Sequence, residues 1–488
     1  MNHVVGSIIA RVSTNVLSFV TLILVGRYLS PADFGVFAVA SAVVAAPQTI
    51  AGAGFYEHLL ARDPDRTDGP TAFWCAVMLG VISFLGMLAA AAISWFGFHA
   101  STISLLLLGL AFHPLLSSLY VAHEACQLRE GNGRNVAFIL VTADVVAFGA
   151  LVLSLIIDRS VYCLLVNRIV TAVVATTLYW ALTPWPPGKP FNMARARQIT
   201  ARAFGIAGGR LTQWLNAYAG DFLVAFFLST AAVGLYRMGV RLFVAASSIV
   251  LQAPMSGVMA MVGDAHRRGQ SRLSVVVQRT MRLQLAFALP IFTLFGLLSP
   301  YFIPLLLGSE WTASGTVLRV LGLSAVQAIY FTSNLSVLTA NGRTGVLFVT
   351  MALSGLSGFI GIAIGAQFGP VEAAIGQVVA TTPLSIFYYY FLLGLPRATV
   401  LATLASTFAT LGACAAMIIA VWGTQHILPS PVGTFAVLAQ MALLSLVALT
   451  TYMAATWLIA RKTFRIWRFI IQRNVERIFT KAALPAAG

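Results

Sequence analysis

Apolar residues in this chain come in long, nearly unbroken runs at 6–28, 34–60, 71–97, 102–123, 134–157, 160–183, 204–229, 231–260, 283–308, 316–340, 344–368, 371–394, 399–423 and 432–460. Polar and turn-forming residues are largely confined to the short stretches between them. A bilayer core of about 30 Å is crossed by a helix of about twenty apolar residues, so each run predicts one crossing. Strand-like alternation is absent and the runs are too long for barrel strands, which leaves helices to satisfy the backbone in lipid. The expectation is an all-α polytopic membrane protein of about fourteen transmembrane helices. The first run follows a five-residue head with no basic region and no small-residue cleavage site, and so predicts a retained helix.

The breaks between runs give the organisation. Pro184, Pro186, Pro187 and Pro190 end the sixth run, and a basic segment from Arg195 to Arg202 leads into the seventh. This predicts a six-helix lobe at 1–183, a cytoplasmic linker at 184–203, a second six-helix lobe at 204–394, two additional helices at 395–460 and a tail at 461–488. In the tail, Phe464, Trp467, Ile471, Val475 and Ile478 share one helical face, with Arg465, Arg468, Arg473 and Arg477 largely opposite. That pattern predicts a basic amphipathic helix lying in the cytoplasmic interface.

The two lobes repeat one another. Residues 6–37 recur 199 positions later as 205–236, matching Gly6 to Gly205, Arg11 to Arg210, Ser30 to Ser229, Ala32 to Ala231 and Gly35 to Gly234. Each copy joins its two apolar runs through a Leu-Ser-x-Ala-x-x-Gly corner. Asn132-Gly133-Arg134 and Asn341-Gly342-Arg343 form a second echo, offset by ten further residues. Internal repeats facing each other across a pseudo-twofold axis are a common transporter plan, with the binding site between them. The second and eighth runs are both interrupted, by Pro47, Gly52 and Gly54 and by Pro254 and Gly257, as a central cavity or simple packing kinks would require.

Composition agrees: 59% of residues are hydrophobic and 9% charged, with mean hydropathy +0.89, whereas a soluble domain carries about 25% charged residues. The net charge of +16 suggests nucleic acid until its placement is read. Basic residues fall in alternate loops, at Arg62 and Arg66, Arg129 and Arg134, Lys189 to Arg202, Arg267 to Arg272, Arg343, Arg397 and the tail, with Arg27 and Arg159 as the main exceptions. The positive-inside rule then puts both termini in the cytoplasm and excludes a nucleic-acid role. Cys75, Cys126, Cys163 and Cys414 have no metal-ligand spacing, and no cofactor is expected.

Ionisable groups inside a membrane normally face a polar cavity or a partner. Arg11, Thr14, Asn15 and Ser18 share one face of the first helix, and Arg210, Gln213, Trp214, Ala217 and Asp221 share one face of the seventh. Arginine donates paired hydrogen bonds to phosphate or carboxylate, so Arg11, Asn15, Arg210, Gln213 and Trp214 are the candidate substrate-binding residues. Snorkelling of both arginines to the interface is the competing reading. Asp221 and Asp144 are candidate ion-coupling carboxylates, with a structural ion pair the alternative for each, to Arg168 in the case of Asp144. His113, beside Pro114, reads as a group that satisfies a kink. There is no G-x-x-x-x-G-K-[ST] loop for ATP, and Gly355-Leu356-Ser357-Gly358 resembles the serine motif of intramembrane proteases but suits close helix packing. No catalytic residue is indicated.

The stretches RYLSPADFGVF (27–37), DFLVAFFLSTAAVGLYRM (221–238), GSEWTASGTVLRVL (308–321) and Ala340-Asn341-Gly342-Arg343 resemble the polysaccharide transporter family, the Wzx-type flippases of the multidrug/oligosaccharidyl-lipid/polysaccharide exporter superfamily. The resemblance covers essentially the whole chain. It implies two six-helix lobes forming a V, two extra helices, and an undecaprenyl-diphosphate-linked oligosaccharide turned from the cytoplasmic to the periplasmic leaflet of the bacterial inner membrane. The pathway would be exopolysaccharide, capsule or O-antigen assembly, and the partners membrane lipids, a polysaccharide polymerase and a co-polymerase. Two other readings stand beside it: a cation-coupled multidrug exporter of the same superfamily, and a membrane polymerase or glycosyltransferase, which the short outer loops disfavour.

Overall fold

A computed structural model describes residues 17–52, 56, 59, 68–183, 191–252, 255–429, 431 and 433–459. The described residues are helical and contain no strand. In chain order the helices are α1 (Leu17–Tyr28), α2 (Pro31–Gly52), α3 (Asp68–Phe96), α4 (Ser101–Leu110), α5 (Phe112–Arg129), α6 (Gly133–Ile157), α7 (Tyr162–Leu182), α8 (Met193–Phe227) and α9 (Thr230–Ser247). There follow a π-helical turn (Ser248–Gln252), α10 (Met255–Arg267), α11 (Gln270–Leu307), a 3₁₀ turn (Ser309–Trp311), α12 (Thr312–Leu323), α13 (Val326–Ala340), α14 (Thr344–Gly365), α15 (Pro370–Phe391), α16 (Arg397–Ile427) and α17 (Thr434–Leu458).

The all-α, multi-pass membrane character read from the sequence holds. Ten of the described helices are long and apolar enough to cross a bilayer, or eleven if the bent pair 309–340 is one span, so length and composition alone do not give fourteen. The shortfall has physical causes. Only Leu17–Tyr28 of the first run is described, and α8 carries Arg210, Gln213, Asn216 and Asp221 within its apolar length. Two helices extend well beyond their apolar runs, α8 back to Met193 and α11 back to Gln270, because an arginine-bearing amphipathic helix continues past the hydrocarbon. Asn192 caps α8, its Oδ1 accepting from the Arg195 amide at 3.1 Å.

Both repeated corners are helix caps. Ser30 Oγ accepts from the Asp33 amide at 3.2 Å ahead of α2, and Ser229 Oγ accepts from the Ala232 amide at 3.2 Å ahead of α9. The matched glycines then meet. A Cβ on Gly35 would run into the Thr230 carbonyl, and one on Gly234 into the Pro31 carbonyl. Since 31 pairs with 230 and 35 with 234 in the repeat, the contact is isologous, as a local twofold axis requires. The second echo is also real, but its register differs. Gly131 and Gly342 both have positive φ, and the next amide reaches back five residues in each, Asn132 to Gln127 and Arg343 to Leu338, both at 2.9 Å. These are matched helix-ending turns, and they pair Gly131, not Gly133, with Gly342.

The chain forms two compact units. One comprises residues up to Met238 with Leu306–Trp311 and Ile362–Ala373. In it, Trp311 is fully buried, donates its indole N–H to the Gly26 carbonyl at 2.8 Å, and meets Phe34 edge-on at 5.7 Å. The other comprises Gly239–Leu305, Thr312–Gly361 and the residues from Ala374 onward. Its apolar core runs through α10, α11, α13, α15, α16 and α17 and is tied by Tyr452 Oη to the Ala286 carbonyl (3.0 Å) and Asn334 Nδ2 to the Ser385 carbonyl (2.9 Å). Phe408, Ile419, Trp422, Ile427 and Phe435 on α16 and α17 are exposed, as lipid contact demands. The tail at 461–488 and residues 184–190 of the linker lie outside the described residues.

Candidate functional site

The polar face of α8 is where the structure places most of the sequence-predicted site. Arg210 and Gln213 are exposed on it. Trp214 is half-buried, donates its indole N–H to the Ala42 carbonyl of α2 at 2.9 Å, and packs against Tyr218 and Phe222. Its donor is therefore in use, and what Trp214 can present to a ligand is a ring face. Arg11 and Asn15, the first-copy counterparts, lie outside the described residues, as does Thr14.

Asp221, two turns beyond Trp214, is fully buried and faces Arg237 of α9, Oδ2 to Nη1 at 3.4 Å. Arg237 also donates to the Ala217 carbonyl at 2.7 Å, and its guanidinium lies 4.4 Å from the Tyr218 ring centroid. The guanidinium is thus held by a carboxylate, a carbonyl and an aromatic face. The sequence pattern assigns no partner to Asp221, although Arg237 lies in the same stretch, 221–238. The signal was present: the two lie nearly equidistant from the Leu228-Ser229 corner, so an antiparallel hairpin brings them level. In the first copy the same two places are Leu22 and Ala38, both buried and apolar. The hairpin folds there without an ion pair.

Asp144 is half-buried on α6, and Arg168 is exposed on α7. The Gln48 amide nitrogen of α2 and the Ser117 hydroxyl (3.2 Å) both meet Nδ1 of His113, two residues past the break at Ala111, so the ring links α5 to α2 through side chains. Interruption in the second run leaves the α2 helix continuous through Pro47, whereas the eighth run breaks into the π turn at 248–252; Pro254, Gly54 and the linker prolines lie outside the described residues. Ser357 donates to the Ser354 carbonyl of its own helix at 2.9 Å, and a Cβ on Gly358 would sit 3.2 Å from Thr381 of α15, so that motif packs helices. The two exceptions to the loop charge pattern cluster: Arg27 lines a cleft of about 450 Å³ with Ser30, Asp33, Ser309 and Glu310, and Arg159 stacks over Tyr28 at 5.2 Å beside it.

A family model described as polysaccharide biosynthesis protein matches residues 24–317, more than half of the chain. The chain belongs to the polysaccharide biosynthesis protein family. It is 23% identical over 386 residues to the succinoglycan biosynthesis transport protein ExoT of Rhizobium meliloti (strain 1021), covering 78% of each chain. It is 22% identical over 329 residues to the teichuronic acid biosynthesis protein TuaB of Bacillus subtilis (strain 168), covering 65% of this chain and 67% of that one. Among solved structures it resembles the lipid II flippase MurJ in its inward closed conformation, with TM-score 0.72 and 13% identity over 93% of this chain and 99% of that one. An inward-facing multidrug resistance MATE family transporter follows at TM-score 0.58 and 12% identity, covering 81% and 94%. This member of the polysaccharide biosynthesis family therefore has the fold those transporters share, and the family and fold expected from the sequence are both present.

Proposed function

We propose that the protein is a flippase that moves undecaprenyl-diphosphate-linked oligosaccharide repeat units from the cytoplasmic to the periplasmic leaflet of a bacterial inner membrane, for exopolysaccharide, capsule or O-antigen assembly. One observation carries the reading: a chain of a polysaccharide biosynthesis family has a lipid II flippase fold along almost its whole length. The alternation of basic loops supports the orientation, with both termini cytoplasmic. A polymerase and co-polymerase would take the product. The multidrug-exporter alternative has weaker support, since the structural likeness to the MATE transporter is lower and the family match is to polysaccharide biosynthesis.

In this reading Arg11 and Arg210, with Asn15, Gln213 and the ring of Trp214, hold the diphosphate and first sugars from related faces of the two repeats. Asp221 and Asp144 are the proposed coupling carboxylates. A gradient or removal of product supplies the drive. Purified protein in proteoliposomes loaded with a fluorescent polyprenyl-diphosphate oligosaccharide should move the label to the opposite leaflet. Redistribution of a cationic drug with none of the lipid-linked sugar would overturn the proposal in favour of the exporter. Arg11→Ala and Arg210→Ala should each impair transport at unchanged membrane levels, and lysine should rescue partly because it keeps the charge without the fork. Normal polymer production by the double alanine variant would remove both from the site.

A further inference from the structure

Helices α10 and α11 are joined by Arg268-Gly269, with Gly269 at φ +107°, and between them lies a cleft of about 610 Å³. Met261, Asp264, Ser271, Arg272, Val275 and Arg279 line it. From residue 283 to the end of α11 there is no ionisable side chain other than Tyr301, so hydrocarbon begins near 283 and the cleft sits at the level of lipid headgroups. Arg272, Val275 and Arg279 lie on one helical face, the two arginines about 10 Å apart along the axis.

Two of the positive charges lining the cleft are unanswered. Asp264 is answered by Arg268 at 2.9 Å and Arg267 at 3.5 Å. Arg282 is engaged through Nε to Ser406 Oγ at 3.0 Å. Arg272 and Arg279 are exposed and make no ion pair among the described residues. Beside them Met261 and Val275 are themselves 50% and 62% exposed, so the same walls offer apolar contact. The volume is that of about twenty waters, much more than one phosphate ion requires. The ligand chemistry is therefore amphiphilic, a phosphate with an apolar continuation toward the membrane core.

We propose that this cleft binds the phosphate headgroup of an anionic phospholipid, with Arg272 and Arg279 as its phosphate donors and Met261 and Val275 against the upper acyl chain. Basic pockets between membrane helices take such headgroups. The site is built from other helices than the α8 face and does not depend on the transport reading. Polyprenyl diphosphate and free pyrophosphate share the phosphate chemistry and are separated by the test.

Purified protein is titrated with phosphatidylglycerol, phosphatidylcholine, polyprenyl diphosphate or inorganic pyrophosphate, and bound lipid is counted by native mass spectrometry. The unmodified protein should prefer phosphatidylglycerol to phosphatidylcholine. In the Arg272→Gln/Arg279→Gln variant, phosphatidylglycerol affinity should fall by about thirtyfold, about fivefold per arginine. Arg343→Gln/Arg397→Gln, which touches neither the cleft lining nor the Asp264 ion pairs, should keep most of the preference, and Arg272→Lys/Arg279→Lys should keep part of it. Unchanged phosphatidylglycerol binding by the glutamine pair, at matched helicity and melting temperature, overturns the proposal. So does displacement of the lipid by pyrophosphate alone, which indicates a small-anion site, or selective loss of polyprenyl diphosphate, which assigns the cleft to the transported lipid. If the glutamine pair fails to fold, the lysine pair decides: a partial fall in phosphatidylglycerol affinity supports the site, and undiminished affinity rejects it.

Discussion

Asp221 and Arg237 form a buried ion pair where the other repeat uses Leu22 and Ala38. Removing one partner of such a pair typically costs about 3–5 kcal/mol, because a charge is left buried, while replacing both by apolar residues is often neutral or stabilising. Asp221→Leu should therefore lower the melting temperature markedly, and Asp221→Leu/Arg237→Ala, which rebuilds the first-copy arrangement, should recover most of it. If the double variant melts as low as the single one, the pair is needed for folding and the repeat argument fails. The coupling role separates from this. In the proposed coupling role, a charged Asp221 paired with Arg237 would disfavour an anionic substrate, and its protonation would free positive charge on Arg237, so substrate and proton would favour each other's binding. Asp221→Asn should hold substrate and lose its response to an imposed pH gradient; proteoliposomes that respond as the unmodified protein does would leave the aspartate with a structural role only.

Between elements, a backbone-to-backbone approach occurs at the crossing of α2 and α9 at Gly35 and Gly234, where an added Cβ meets the other helix's backbone amide nitrogen at 2.9 and 3.1 Å and a carbonyl closer still. Backbone cannot rotate out of the way as a side-chain tip can. Gly35→Ala and Gly234→Ala should each destabilise by at least about 1–3 kcal/mol. Gly86→Ala and Gly149→Ala, with open space around them, should be neutral or slightly stabilising in the same thermal-unfolding series. Equal effects at all four sites would deny the crossing its role. This element also marks what the sequence made legible. The repeat put Gly35 in register with Gly234, and the apolar runs located the helices, because lipid leaves the backbone no alternative. That the glycines touch, that α4 and α5 part at Ala111, and that α8 and α11 run on past their apolar stretches were not legible, since hydropathy registers only the part of a helix that sits in hydrocarbon. Among the site residues, pattern put Arg210, Gln213, Trp214 and Asp221 on one α8 face, but gave no sign that the Trp214 N–H is taken by Ala42.

For the whole molecule the open quantity is the number of crossings, and α8 decides much of it. It is 35 residues, about 52 Å long, enough to span the hydrocarbon with turns to spare, yet it falls outside the ten helices that pass on apolarity. The polar groups responsible are partly satisfied by protein: Asp221 by Arg237, and the Trp214 indole by Ala42. A span whose polar face is answered by neighbouring helices crosses despite its mean hydropathy. On that argument Arg195, at the start of α8, and Ser229, just past its end, lie on opposite sides of the membrane, and with a cytoplasmic Arg195 the outer side holds Ser229. Cysteine scanning tests this directly. With Cys75, Cys126, Cys163 and Cys414 replaced by serine, an impermeant thiol reagent applied to intact cells should label Ser229→Cys, at an exposed position, and spare Arg195→Cys, at a half-buried one that the same reagent should reach in inverted vesicles. A periplasm-only reporter fused after Ala460 should stay silent if both termini are cytoplasmic. Labelling of both cysteines from outside, or of neither while inverted vesicles label both, would remove α8 from the spans and with it the matched six-helix lobes.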